Sequence, residues 1–268
     1  MNSQDLPDVS DRLRFAIDAA QEAGRTAMRW FQSEDLETSG KADGSPVTQA
    51  DRAAEISIRE AIAATYPDDG ILGEEYESVV SSTGLTWVID PIDGTKSFVH
   101  GVPLFGTLLA CMREGLPTIG VIVMPALGEW VAAEAGRGCW WWREGRGVTR
   151  ARVSDRAGVK GSMLVSTSYE YYDTESRKRA WASLNDEGAH TRGWSDCYAF
   201  VLLATGRADG VIEPATMNLW DIACVPVIVG EAGGAWSDIN GAATLDTGSI
   251  VATNGLIHER VLELMNPA

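Results

Sequence analysis

Trp87-Val88-Ile89-Asp90-Pro91-Ile92-Asp93-Gly94-Thr95 carries an apolar strand into two carboxylates, then into a glycine turn followed by a hydroxyl. Pro91 has a fixed φ and no N–H to donate, so the strand is expected to end there. A chain leaving a strand in this way can turn Asp90, Asp93 and the Ile92 carbonyl toward one point. Converging hard oxygens are what Mg²⁺ requires. Gly94 permits a tight turn in which the backbone N–H groups of Gly94 and Thr95 face an anion. The same residues also fit an ordinary Asp-Pro/Asp-Gly surface turn, and the local pattern alone leaves both readings standing.

Composition narrows the partners. A chain of 268 residues can form one large domain or two compact halves sharing a core. With a net charge of −16, it offers no basic field to nucleic acid or to an anionic membrane, so neither is expected as a partner. The same charge would oppose a phosphate ligand unless divalent cations offset it locally. Cys111, Cys139, Cys197 and Cys224 are widely spaced with no Cys-x-x-Cys pair, which favours reduced thiols over a zinc site or disulfide framework. The start Met1-Asn2-Ser3-Gln4-Asp5 is polar and acidic, unlike a secretory signal, and no apolar run is long enough for a bilayer. A cytoplasmic location is expected.

Outward from the opening stretch, periodicity predicts a helix over Ser10–Gln32, a loop over Lys41–Pro46 and a second helix from Thr48 to Thr65. Ile71–Glu75 reads as a strand exit. Strands are predicted at Trp87–Asp90, Phe105–Arg113, Thr118–Met124 and Trp130–Ala135, then at Ser162–Ser166, Gly210–Glu213 and Ser249–Thr253. Helices are predicted at Thr174–Leu184, Cys197–Thr205 and Ile257–Met265. Leu219–Ala232 reads as one nearly all-apolar helix suited to a place between layers. Helices first, a strand-rich centre and then mixed elements predict layered sheets with helices between them. Trp140-Trp141-Trp142 fits either a subunit interface or an alternating strand with one indole buried.

Three further acids stand at suggestive places. Glu74 follows a strand and Gly73, Asp51 lies near the start of the second helix, and Asp221 opens the apolar one, where the helix dipole favours an anion. Singly, each also fits a mundane place: Asp51 and Asp221 as helix N-terminal acids, Glu74 as a solvated loop residue.

Taken in order, these residues resemble the inositol monophosphatase superfamily of metal-dependent phosphatases. The hallmark is Trp87 to Thr95; Gly73-Glu74-Glu75, Leu219-Trp220-Asp221-Ile222-Ala223, Glu231-Ala232-Gly233-Gly234 and Ala252-Thr253-Asn254-Gly255 extend the likeness over nearly the whole chain. The resemblance implies an α/β, αβαβα five-layered sandwich over residues 1–268. About 1–145 would be an α+β half with the metal site and about 146–268 an α/β half completing the substrate pocket. It implies Mg²⁺-dependent hydrolysis of a small phosphomonoester, with two to three ions and Mn²⁺ as a substitute, and a homodimer. Glu74, Asp90 and the Ile92 carbonyl match ligands of a first metal; Asp90, Asp93 and Asp221 match those of a second. Gly94 and Thr95 match a phosphate cradle. Asp51 with Thr95 matches the pair that orients and deprotonates water, and Glu74 also lies near a third ion. Two metals can clamp both oxygens of an in-line displacement, so no covalent nucleophile is needed. The chain indeed has no Cys-x₅-Arg loop and no Arg-His-Gly. An Asp-x-Asp-x-Thr phosphatase geometry is excluded because Asp90 and Asp93 are three apart with Pro91 between them. A metal-binding but inactive module should have lost at least one of Glu74, Asp90, Asp93, Thr95 or Asp221, and all are present.

Substrate choice falls to other residues. Arg192, Trp194, Asp196 and Glu213 are the candidate contacts to the leaving group. Histidinol phosphate carries an ammonium and an imidazole; Asp196 would stabilise positive charge and the Trp194 indole would stack on the ring. Gly193–Tyr198 and Ala204–Asp209 look most like the bacterial histidinol-phosphatase branch, which implies a place in histidine biosynthesis. Inositol-1-monophosphatase, or broad sugar and polyol phosphatase, activity is the alternative. Trp194 packing a loop and Asp196 capping a helix is the plain structural one. His100, His190 and His258 show no ligand spacing.

Overall fold

In the computed structural model, residues 6–40, 46–194, 196–214 and 217–266 are described. Met1–Asp5, Lys41–Ser45 of the expected loop, Ser195, and Ala215 and Thr216 of the expected pocket segment lie outside them. Apolar spacing of three and four along α1 (Asp11–Met28) buries Leu13, Ala16, Ile17, Ala20, Ala23 and Ala27 on one face. The Ser10 hydroxyl caps this helix by accepting the Leu13 N–H at 3.1 Å. β1 (Thr38–Gly40) and β2 (Pro46–Thr48) form an antiparallel pair leading into α2 (Gln49–Thr65). Pro46, expected in a loop, therefore opens a strand; it occupies the first position, where a missing N–H is tolerated.

Seven strands follow and lie in chain order in one sheet: β3 (Gly70–Gly73), β4 (Leu85–Asp93), β5 (Gly106–Arg113), β6 (Leu116–Met124), β7 (Glu129–Glu134), β8 (Gly138–Arg143) and β9 (Gly147–Arg150). β3 runs parallel to β4 and the remaining neighbours are antiparallel. Alternation divides the sheet's two faces. Trp87, Ile89, Leu109 and Val121 pack under α1 and α2, whereas Val88, Leu108, Ala110 and Ile122 face the opposite layer.

β4 does not end at Pro91. Its ladder with β5 passes from Asp90↔Leu108 to Asp93↔Gly106, so Pro91 and Ile92 together oppose Thr107 alone. This is a β-bulge. Pro91 makes no ladder donation, but its carbonyl accepts the Thr107 hydroxyl at 2.9 Å, and pairing resumes two residues on. The bulge also corrects the side-chain register. Ile92 returns to the α1/α2 face with Ile89, and Asp93 is brought to the face that Asp90 occupies. Without the extra residue, positions 90 and 93 would point to opposite sides of the sheet.

A short helix, α3 (Thr95–Val99), leaves the end of β4. The second sheet has the order β11-β10-β12-β14-β13, with β10 (Met163–Val165), β11 (His190–Arg192), β12 (Gly210–Glu213), β13 (Ala235–Ser237) and β14 (Ile250–Thr253). α4 (Glu175–Asp186) and α8 (His258–Met265) cover its outer face through Ala180, Leu184, Val261 and Met265. Between the sheets lie α5 (Asp196–Ala204), α6 (Leu219–Ile222) and α7 (Val225–Glu231), whose residues share one core with both sheets. The layers are therefore α, β, α, β, α.

The apolar stretch Leu219–Ala232 is two helices rather than one. Pro226 falls in the first turn of α7. In a continuous helix its ring would meet the Ile222 carbonyl and its missing N–H would break the ladder, so α6 stops at Ile222. Trp140–Trp142 is an alternating strand. Trp140 is buried and Trp142 half-buried toward the α1/α2 side, while Trp141 faces the other way and donates its indole N–H to Glu129 at 2.9 Å. All four cysteines are buried thiols without disulfides.

Candidate active site

The bulge, the end of β3 and the first turn of α6 deliver carboxylates to one place. Single oxygens of Asp90, Asp93 and Asp221 lie within 4.8 Å of one another, and Glu74 is within hydrogen-bonding reach of Asp90. Asp221 is also a helix cap: its Oδ2 accepts the Asn218 N–H at 2.6 Å. Burial, with Glu74, Asp93 and Asp221 close by, pushes the Asp90 carboxyl well above the usual range. Burial and then Asp196 and Asp221 push Asp93 up in the same direction, against the Cys197 N–H that it accepts at 2.5 Å. Asp90 Oδ1 is buried with no hydrogen-bond partner. An orphaned carboxylate oxygen inside an all-oxygen donor set is what a hard divalent cation would satisfy, and softer metals would not be favoured there. These residues fit a metal-dependent chemistry.

Beside them, Gly94 sits at φ +90°, and a Cβ there would lie 3.0 Å from both the Leu104 carbonyl and Asp196 Oδ2. Only glycine suits this turn at the head of α3. Thr95 Oγ1 lies 3.0 Å from the Ile92 carbonyl and 3.3 Å from Asp51 Oδ1, and its single proton can serve either acceptor. Asp51 does two jobs. Its Oδ2 accepts the Thr48 N–H at 2.8 Å and the Thr48 hydroxyl at 2.6 Å, completing the cap of α2, while Oδ1 faces Thr95. Burial raises Asp51, and the Thr48 bonds oppose the rise.

The cleft over these groups encloses about 600 Å³. Of the expected residues it gathers Glu74, Asp90, Ile92, Asp93, Gly94, Thr95, Asp196 and Asp221. Asp196 holds a left-handed backbone at φ +50° as α5 begins, a conformation that costs energy outside glycine and concentrates at functional sites. Arg192, Trp194 and Glu213 do not line the cleft, and the buried Asp51 meets it only through Thr95. Arg192 ends β11 on the surface with its guanidinium on the Thr191 carbonyl, and Trp194 is exposed. Glu213 is buried behind the wall, accepting the Thr167 N–H at 2.7 Å, the Thr167 hydroxyl at 3.0 Å and the Ser166 hydroxyl at 3.4 Å. Its burial outweighs those donors and pushes the carboxyl up to about 8.

Sequence reasoning missed one wall. Thr167, Ser168, Glu170 and Tyr171 line the cleft, as does Lys96. The signal was present: Ser166–Tyr172 follows the C-terminal end of a parallel strand, β10, where open α/β sheets place their ligands. The Tyr171 hydroxyl is pushed up to about 12 by burial and then by the charges of Asp196, Glu213 and Glu170. That hydroxyl therefore stays protonated.

The family model "Inositol monophosphatase family" matches residues 8–268. Histidinol-phosphatase from Chlorobaculum parvum is 39% identical over 93% of this chain and 95% of its own. Histidinol-phosphatase from Mycobacterium tuberculosis is 36% identical over 96% and 98%. Among solved structures, the extragenic suppressor protein suhB from Bartonella henselae superposes with a TM-score of 0.89 at 28% identity, covering 97% of this chain and 100% of that one.

Proposed function

Because the chain belongs to the inositol monophosphatase family and is a phosphatase, we propose that it hydrolyses L-histidinol phosphate to L-histidinol and phosphate, with Mg²⁺ as cofactor. The observation that carries the substrate choice is Asp196, a carboxylate in the cleft beyond the set needed for metal, with its Oδ2 against Gly94. Two relatives named histidinol-phosphatase, similar over more than nine-tenths of the chain, support it. The reading places the enzyme in histidine biosynthesis, in the cytoplasm, as a homodimer.

Glu74, Asp90, Asp93, Asp221 and the Ile92 carbonyl would hold two to three Mg²⁺ ions, or Mn²⁺ in their place. When bound, the ions supply Lewis-acid polarisation of the phosphoryl oxygens and make water more acidic. The rest falls to the protein. The N–H groups of Gly94 and Thr95 hold phosphate oxygens, presented by the glycine turn at φ +90°. The attacking water donates to Thr95 Oγ1, and the Thr95 proton is taken by Asp51 Oδ1. Thr48 fixes the other Asp51 oxygen, so the acceptor stays aimed. Asp196 stabilises the cationic leaving group. Glu213 acts at one remove, by fixing Thr167. In this reading one domain contributes to the cleft from both its halves, about 1–145 with the metal site and about 146–268 with Asp196 and Asp221.

Comparing kcat/KM on L-histidinol phosphate and inositol 1-phosphate tests the substrate. Preference for inositol phosphate would assign the chain to polyol esters instead. Asp196→Ala should raise KM for the cationic ester; equal losses on a neutral ester would remove Asp196 from recognition.

A further inference from the structure

Lys96 is the one lysine or arginine among the described residues that line the cleft. It directly follows the Gly94–Thr95 cradle, in the first turn of α3. Its Nζ lies 3.3 Å from Glu170 Oε1, which projects from the opposite wall. The two side chains are 67% and 63% exposed, so the pair is solvent-screened and easily opened. The surroundings of its two ends differ. Lys96 adjoins the Gly94–Thr95 turn, whereas Glu170 stands beside Tyr171 in the Tyr169–Tyr171 turn across the cleft.

We propose that Lys96 and Glu170 form an exchange pair that selects phosphate esters bearing an amine: the substrate's phosphate takes over Lys96 while its ammonium takes over Glu170. The inference rests on the substrate reading above and extends it to two residues which that reading does not use. An ester with a neutral leaving group can replace only the partner of Lys96. Glu170 is then left without its cation. A zwitterionic ester replaces both partners, so neither member of the pair loses its counter-charge. Discrimination here comes as much from what the neutral ester leaves unpaired as from what the amine gains.

The competing explanation is a strap, in which the pair merely ties the Tyr169–Tyr171 turn to α3. The two differ under charge exchange. kcat/KM is measured with Mg²⁺ on L-histidinol phosphate, on its des-amino analogue 3-(imidazol-4-yl)propyl phosphate and on inositol 1-phosphate. The enzymes are the wild type, Glu170→Gln, Lys96→Met and the swapped double variant Lys96→Glu/Glu170→Lys. Glu170→Gln should lower the amine-to-des-amino ratio about three- to fivefold, the upper range for an exposed pair. Lys96→Met should lower kcat/KM on both imidazolyl esters alike. The swapped variant, although it keeps an ion pair, should not recover the ratio. A ratio unchanged in Glu170→Gln, or restored in the swapped variant, would overturn the exchange pair and leave a strap. Failure of the substrate reading shows separately, as wild type preferring inositol 1-phosphate to both imidazolyl esters. A wild-type ratio of one would overturn the exchange pair as well.

Discussion

Glu213 should make the folded protein lose stability as pH rises, and Glu213→Gln should abolish that loss. The carboxyl is 1% exposed, and its folded value of about 8 stands above an ordinary 4.5. A carboxyl held above its unfolded value binds its proton more tightly when folded. Its contribution is therefore intact below about pH 4.5 and is lost progressively until the pH passes about 8. At 1.36 kcal/mol per pH unit, the span from 4.5 to about 8 sets a ceiling of about 5 kcal/mol on that loss. Glutamine is the right probe because its carbonyl can accept the Thr167 N–H and hydroxyl, while its amide can donate to Ser166 Oγ. Urea unfolding of both proteins from pH 5 to 9 gives the difference curve, in which the titrations they share cancel. The variant should match wild type near pH 5 and exceed it by several kcal/mol at pH 9. A flat difference would refute the claim that burial governs Glu213, and a variant weaker at every pH would mean that the hydrogen bonds govern it.

Three further outcomes follow from the geometry. Gly94→Ala forces a left-handed Cβ against the Leu104 carbonyl and should cost about 2–4 kcal/mol in urea unfolding while collapsing kcat/KM. Asp69 is 4% exposed and accepts from Arg12 Nη1, the Thr83 hydroxyl at 2.6 Å and the Trp87 indole at 3.0 Å. Asp69→Ala should cost about 3 kcal/mol, since it orphans the buried indole N–H. Burial works against the Asp69 charge, but Thr83, Arg12 and Trp87 outweigh it and hold the carboxyl below 3.8, so its contribution should persist above about pH 4 and fade in acid. Acid titration of wild type against Asp69→Ala should show the two converging below that pH. Asp93→Asn keeps an acceptor for the Cys197 N–H but removes a charge from the cluster. Calorimetric titration should show Mg²⁺ affinity reduced at least about tenfold, with the metal-free fold no weaker than wild type.

The sequence announced the layers because the apolar periods are strong. Asp11–Met28 and Gln49–Thr65 have one-sided faces, and the central strands alternate cleanly between two cores. Breaks inside those patterns were harder to see. Pro91 suggested a strand end, but proline is also at home in a bulge, and only cross-strand pairing distinguishes the two. Pro226 lay within an apolar run whose composition masked the interruption. In the site, Asp90, Asp93, Gly94 and Thr95 were legible because they adjoin in sequence, and Glu74 and Asp221 because each follows a recognisable motif. Glu170 and Tyr171 share no motif with them and reach the cleft only through the stacking of the second sheet on the first. Glu213 was legible as a residue worth naming, but its aim toward Thr167 depended on tertiary packing.

The most direct measurement is inorganic phosphate release from L-histidinol phosphate by wild type and Asp93→Asn, each with Mg²⁺ and again after exhaustive chelation. Wild type should turn over only with the metal, recover when Mg²⁺ is restored, and lose nearly all turnover in Asp93→Asn. Undiminished release after chelation, or in Asp93→Asn, would contradict the assignment of the Asp90–Asp93–Asp221 cluster as the metal site that runs the hydrolysis.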